Sequence, residues 1–497
     1  MKYLSRIKLT FLTALVFGLM LNTAAGSPKT FHGIPVTTKS QEAFDYFVIG
    51  QALLDQGKNV EAQKLFKRAL DKDPNFSYAW LGFANSATSA EEYEEGIDNA
   101  GLFVEKASKG EQLLHKIGKT FLNSDLESRL ELAESLTETY PESPRAWLVY
   151  GNAKGAVNDQ KEQRQAFKRA IELNKEFSPA YTQMGFSYIF QQPKDFQKGE
   201  SYMLEASKLN PWSDQVYINL GDAHRAIQKL ERASDDYDKA SLINSNNAVA
   251  FVKKGHVDSF LGKFADAKKA YEQGLEVSET VNRPYYANYK TFIGLHESKP
   301  SVTLAELDKV IANIDKLNLA DHQKDSAKMF ALTNQVTIAL HHKMVDKAKT
   351  ILEKRETLMR KISKNINDKD FARNQEADIA FWRGQLHARM GDFKTAQEFA
   401  NKNSNLVKDT KSPRKMEQYH ELSGLIALLS EKFGDAKDSY AKADQNSIYV
   451  KYHLALAMEY SGDNKSASKL FKEVAEYNFN SVEFALVRKD AMSRASI

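Results

Sequence analysis

Between Ala43 and Pro74 the apolar positions step by three and four along the chain. Tyr46, Ile49, Gly50 and Leu53 fall on one face of a predicted first helix, and Ala62, Phe66 and Ala69 on one face of a second. Gly57 and Lys58 supply the reversal between them, and Pro74 forbids continuation. Small Gly50 and Ala62 let the two helices approach, while Tyr46 and Phe66 fill space against neighbours. One such pair cannot cover its own apolar stripe, so units of this kind must stack.

The pattern returns. Trp147, Gly151, Phe167 and Ala170 occupy matching slots, as do Tyr181, Met184, Gly185, Tyr188 and Ala206, ending at Pro211. Tyr217, Leu220, Gly221, Ala233, Tyr237 and Ala240 follow, then Phe251, Gly255, Gly262, Ala267 and Tyr271. From Gly151 to Gly185, Gly221 to Gly255 and Tyr237 to Tyr271 the step is 34 residues. On these residues the chain resembles the tetratricopeptide-repeat family. The resemblance implies an all-α fold, a right-handed α–α superhelix whose first helices line a concave, peptide-receiving surface. It also implies a non-catalytic, protein-binding role.

The match is uneven along the chain. Around Tyr78, Trp80 and Ala84, and again over Glu111–Pro141, helix pairs are predicted without the full set of small residues. Ser89 with Glu92, Ser124 with Glu127 and Thr303 with Glu306 each fit a helix-starting capping box. Over residues 283–374 the period fades into a divergent helical segment. It returns with Gly384, Gly391 and Ala396, with Gly424, Ala436 and Tyr440, and with Gly462, Ala467 and Phe471. An insertion is expected around Ser412–Pro413, and a capping helix with a polar outer face from Ser481. The expected organisation is a signal peptide at 1–25, a flexible linker at 26–42 that includes the non-helical stretch Phe31–Thr38, an N-terminal array at 43–282, the divergent segment, and a C-terminal block at 375–497.

The signal peptide rests on a basic head of Lys2, Arg6 and Lys8, an apolar run from Leu9 to Leu21, and the small residues Thr23 to Gly26. That run is short for a membrane anchor, and no other stretch approaches the ~20 apolar residues a spanning helix needs. The expected location is therefore the periplasm, with secretion as the alternative. The chain has no cysteine, which excludes disulfides, thiolate metal sites and a cysteine nucleophile. Removing the basic head takes the formal charge from +4 to +1, too little for a dedicated nucleic-acid binder.

No zincin motif, phosphate loop, serine elbow or dinucleotide fingerprint occurs, so no cofactor is expected. The pair His341–His342 reads as a solvated helix end, since adjacent residues point to different faces. His224 and His256 read as core or groove residues. Lys347, Lys354, Arg355 and Lys361 could form one basic outer face, opposite Val345, Ala348, Leu352, Met359 and Ile362. Such a face allows at most peripheral membrane contact. The resemblance places the docking surface beside the packing slots of the first helices. The residues there are Phe44, Phe47, Gln51, Asn152, Phe186, Phe190, Asp222, Arg225, His256 and Phe260. An extended protein or peptide segment is the expected partner, and a self-assembling or envelope-anchored structural adaptor is the alternative. The positions that hold a terminal carboxylate in some members of the family carry Phe47, Gln51, Thr182, Phe186, Val249 and Lys253, which do not reproduce that clamp.

Overall fold

A computed structural model describes residues 29–410, 412 and 414–495. The signal-peptide segment at 1–25 and Pro413 lie outside the described residues. The described residues open with a hairpin of β1 (Thr30–Phe31) and β2 (Ile34–Pro35). Helices α1 (Gln41–Leu54), α2 (Asn59–Lys72), α3 (Ser77–Asn85), α4 (Ala90–Phe103), α5 (Lys109–Leu122) and α6 (Leu126–Thr139) follow. Next come α7 (Pro144–Ala156), α8 (Gln160–Leu173), α9 (Ser178–Phe190), α10 (Phe196–Leu209) and α11 (Asp214–Ala226). Two compact units divide between Ala223 and His224, inside α11.

In the first unit α1 pairs with α2, α3 with α4, α5 with α6, α7 with α8 and α9 with α10, and each of α2, α4, α6 and α8 also packs on the helix after it. The small residues do what their spacing suggested. A Cβ at Gly50 or Gly82 would lie 2.9 or 2.4 Å from Phe66 Cε1, so the fully buried Phe66 ring is wedged between α1 and α3. At Ser89 only half a capping box forms: its side chain accepts from Glu92 N, while Glu92 turns to Thr88. Ser124 is not a cap. It sits at φ 56, and Asp125 beside it accepts from Ser128 N instead. A complete box forms at Ser108 and Glu111.

The second unit contains α12 (Leu230–Ile243), α13 (Ala248–Phe260), α14 (Phe264–Val277), α15 (Arg283–Thr291), α16 (Ile293–His296) and α17 (Pro300–Ile314). Then follow α18 (Asp321–His341), α19 (Val345–Ile366), α20 (Lys369–Arg389), α21 (Phe393–Val407) and α22 (Glu417–Leu429). The last are α23 (Phe433–Tyr440), α24 (Ile448–Tyr460), α25 (Asn464–Ala475) and α26 (Val482–Arg494). The divergent middle is a continuation of paired helices. Its period is lost because α18, α19 and α20 run to 21, 22 and 21 residues. Thr303 is buried inside α17, which starts earlier on Pro300, so it caps nothing.

The C-terminal helix departs from expectation. Rather than shielding an end with a polar face, α26 buries Val482, Phe484, Ala485, Val487 and Ala491. It packs on α16 and α18 as well as on α24 and α25. One core holds Tyr237, Val257 and Phe260 together with Tyr452, Phe471 and Phe484. The last repeat of this unit therefore leans on its first. That is why residues 224–282, read from sequence as part of the N-terminal array, group with the C-terminal half.

Candidate functional site

In the first unit, the inner ends of α1, α3, α5 and α7 meet the N-terminal hairpin. Thr30 pairs with Pro35 and Phe31 with Ile34, and His32 and Gly33 turn at φ 47 and 86. Positive φ suits Gly33, and a side chain there would also meet Ser143, whose Cα lies 3.1 Å from the Cβ position. Ser143 Oγ donates to His32 O at 2.6 Å. Phe31 sets its ring edge-on to Phe47 at 5.3 Å and to Tyr78 at 6.4 Å, and His32 meets Phe177 at 4.8 Å. Ile34 is fully buried against Gly110. Beyond the turn, Ser108 Oγ donates to Pro35 O at 2.7 Å, and Thr37 N donates to Glu111 Oε2 at 3.1 Å. Thr38 Oγ1 donates to Asp73 at 2.5 Å. The segment expected as a flexible linker is thus pinned from residue 29 onward, because its apolar side chains fill the mouth of the first repeats.

Beneath the hairpin lies an ion pair. Arg145 donates to both oxygens of Asp55, at 2.9 and 2.5 Å, with the Phe31 and Phe177 rings at 5.3 and 5.1 Å from its guanidinium carbon. Burial works against the arginine charge, but Asp55 more than offsets it and raises its pKa. Burial, with the Arg145 cation adding to it, pushes His32 down to about 4.

The ten positions predicted to line the groove separate into two sets. Phe47 is covered by Phe31, and Gln51, one turn further along α1, is buried too. Asp222 is fully buried. Arg225 is covered by Phe479 at 4.3 Å, and its carbonyl accepts from Asn478 Nδ2. His256 packs edge-on to Tyr289 at 5.0 Å, and burial holds its pKa well below the usual range. Phe260 meets Phe484 at 5.2 Å. These six are core, not groove: the hairpin covers Phe47, and the second unit's own helices and C-terminal segment cover Arg225, His256 and Phe260, while Gln51 and Asp222 are buried as well. Phe44 and Phe190 are half-buried, Asn152 is exposed, and Phe186 is 39% exposed. Phe186 and Phe190, one turn apart on α9, bring their rings to 4.7 Å.

Other readings also shift. His341 is not solvated: it bonds Tyr449 OH at 2.9 Å, and burial pushes it down to about 3. His224 Nδ1 meets Asp236 at 2.5 Å. Arg355 leaves the basic face entirely, because its side chain turns inward to Asp378 at 2.8 Å and Thr333 at 3.0 Å. Lys347, Lys354 and Lys361 remain outside, the last held by Asp325. Among the described residues no cluster of three acids or histidines is placed to hold a metal, and no helix is long and apolar enough to cross a membrane. Sequence reasoning missed Phe31, His32, Asp55 and Arg145. The available signal was the apolar–turn–apolar pattern around His32–Gly33, the one stretch without helical period.

Models of the tetratricopeptide repeat match residues 47–101 and, separately, residues 144–177, 214–247 and 248–280. These segments are tetratricopeptide repeats. Anaphase-promoting complex subunit 3 of Schizosaccharomyces pombe is 23% identical over 36% of this chain and 27% of its own length. Anaphase-promoting complex subunit CDC16 of Saccharomyces cerevisiae is 25% identical over 43% of this chain and 26% of its own. The chain thus spans about a quarter of the length of these curated relatives. Among solved structures, YrrB, described as a TPR protein with an unusual peptide-binding site, is 17% identical at a TM-score of 0.31, covering 37% of this chain and 92% of its own. The type IV pilus biogenesis factor PilW is 12% identical at 0.36, covering 44% and 97%.

Proposed function

We propose that this chain is an exported, non-catalytic repeat scaffold, working in the periplasm, that receives an extended apolar segment of a protein partner on the open part of its first-helix face. The observation that carries this reading is the aromatic pair of exposed Phe186 and half-buried Phe190 on α9, with exposed Asn152 in the slot matching Phe186 in the preceding repeat. Large aromatic side chains left partly in water on a rigid helix can anchor a partner at little entropic cost, and a neighbouring amide can bond its backbone. The repeat matches agree with a binding role. The export part rests on the basic, apolar and small-residue order of the first 26 residues. Crosslinking in cells through a photoreactive residue at Asn152, followed by identification of the captured protein, tests the docking face. Cell fractionation with N-terminal sequencing of the mature chain tests export. A cytoplasmic chain that keeps Met1 ends that part of the reading.

A self-assembling adaptor is the second reading. It is favoured by Phe121, Leu122 and Leu126, which are 54, 45 and 40% exposed around the α5–α6 turn. Light scattering separates the two, since a monomer at high concentration removes self-assembly.

A further inference from the structure

The C-terminal helix of the second unit forms one wall of a small cleft that the docking face leaves unused. Phe260 and Phe264 at the α13–α14 turn, His296 ending α16, and Arg488, Lys489 and Met492 of α26 line about 160 Å³. The lining holds two cations and a histidine but no carboxylate. Arg488 lies 5.6 and 5.8 Å from the ring centres of Phe260 and Phe484. Its Nε is buried and meets no hydrogen-bond partner, and His296 Nε2 is in the same position. Burial alone lowers the Arg488 pKa, with no acid opposing it. Lys489, at the rim, reaches only Ser298 Oγ at 3.2 Å.

Two more deeply buried arginines each have a carboxylate: Arg145 has Asp55, and Arg355 has Asp378. Arg488 is half-buried with its Nε sealed from water, and a guanidinium enclosed in this way without a counter-ion carries a desolvation cost that falls when an anion arrives from outside. A guanidinium fork matches the two oxygens of a carboxylate, and the two phenylalanine rings hold its plane. Apart from Ser259, whose hydroxyl donates to Gly255 O at 2.7 Å, the remaining walls are apolar. The space is below the roughly 300 Å³ of a drug-sized site, so it suits a small molecule and not a length of chain.

We propose that this cleft binds a small organic monocarboxylate, with its carboxylate on Arg488, Lys489 at the rim, and its apolar body against Phe260, Phe264 and Met492. The site is independent of the face at Phe186, and failure of either leaves the other standing.

The test uses the purified full chain and four probes: butyrate, benzoate, benzamide and inorganic phosphate. Butyrate or benzoate should raise the melting midpoint at millimolar concentration, while the neutral benzamide and phosphate should not. Arg488→Leu should weaken carboxylate binding at least tenfold, and Arg488→Lys, which keeps the charge without the fork, should weaken it less. Equal protection by phosphate would make this a plain anion site and overturn the carboxylate assignment. No response to any probe, or an unchanged response in Arg488→Leu, also overturns it. Should that variant not fold, the side-chain Nε–H NMR signal that Arg488→Lys removes provides the readout in the unaltered chain. A benzoate-dependent shift of that signal supports the site, and a signal that stays in place rejects it.

Discussion

Arg145 on α7 and Asp55 at the end of α1 hold each other through two parallel hydrogen bonds, 90 residues apart in sequence. Removing Asp55 would leave a guanidinium buried under two aromatic rings with nothing to balance it. Asp55→Ala should therefore cost about 3–5 kcal/mol in urea unfolding of the first unit. Replacing both partners with apolar residues, Asp55→Leu with Arg145→Met, should cost far less. Equal losses in the single and double variants would mean the pair is not coupled.

The hairpin can be released without touching the repeats. Gly33→Val forces a branched side chain into φ 86 and against Ser143. The penalty should exceed ~1 kcal/mol, enough to loosen a short segment. Cleavage by trypsin after Lys29 and Lys39 should quicken, and hydrogen exchange at Val36 N, which donates to Lys29 O, should speed up. Helicity should hold. An unchanged digestion pattern would show that the hairpin does not depend on this contact.

Much of the repeat architecture could be read from the chain because it is set by neighbours close in sequence. Gly50 is small because Phe66, sixteen positions on, needs the space. The hairpin and the closed end of the second unit were hidden because their partners lie far away. Ser143 reaches His32 across 111 residues, and Asn478 reaches Arg225 across 253. The same gap explains the site. Periodicity places Phe47, Phe186 and Phe260 on first helices, but only distant segments decide which of them is covered. The ion pair was hidden likewise: Asp55 and Arg145 look like ordinary surface charges until their helices are brought together.

Acid should weaken the second unit. Burial pushes His296 and His453 down to about 4 and His341 to about 3, so the folded form refuses protons that the unfolded chain accepts from pH 6.5 downward. Their contribution is whole above 6.5 and is lost as the pH falls toward 4. Glu421 acts in the opposite sense. Burial raises it to about 7, with Arg389 opposing and Glu483 adding, so its contribution is whole below 4.5 and is lost as the pH rises through 7. Glu421→Gln should therefore steepen the fall in melting midpoint between pH 7 and 4.5 relative to the parent. Parallel curves for the two proteins would rule out this account.

Phe186 and Phe260 both sit on first helices, Phe260 in the slot that Phe190 fills on α9, and the structure gives them different fates. Phe260 is 5% exposed and carries Phe484, His296 and Arg488 against it, so Phe260→Ala empties a packed core. Its cost should be about 3–5 kcal/mol, with a lower melting midpoint for the second unit. Phe186 is 39% exposed, and Phe186→Ala should change stability by no more than ~1 kcal/mol. Partner capture should respond in the reverse order. If the aromatic pair anchors a partner, Phe186→Ala should reduce recovery from periplasmic extract about fivefold or more while the circular dichroism spectrum stays the same. Full recovery by that variant, at unchanged stability, would move the binding surface away from α9. Loss of capture in Phe260→Ala alone, together with a lowered melting point, would report unfolding and not recognition.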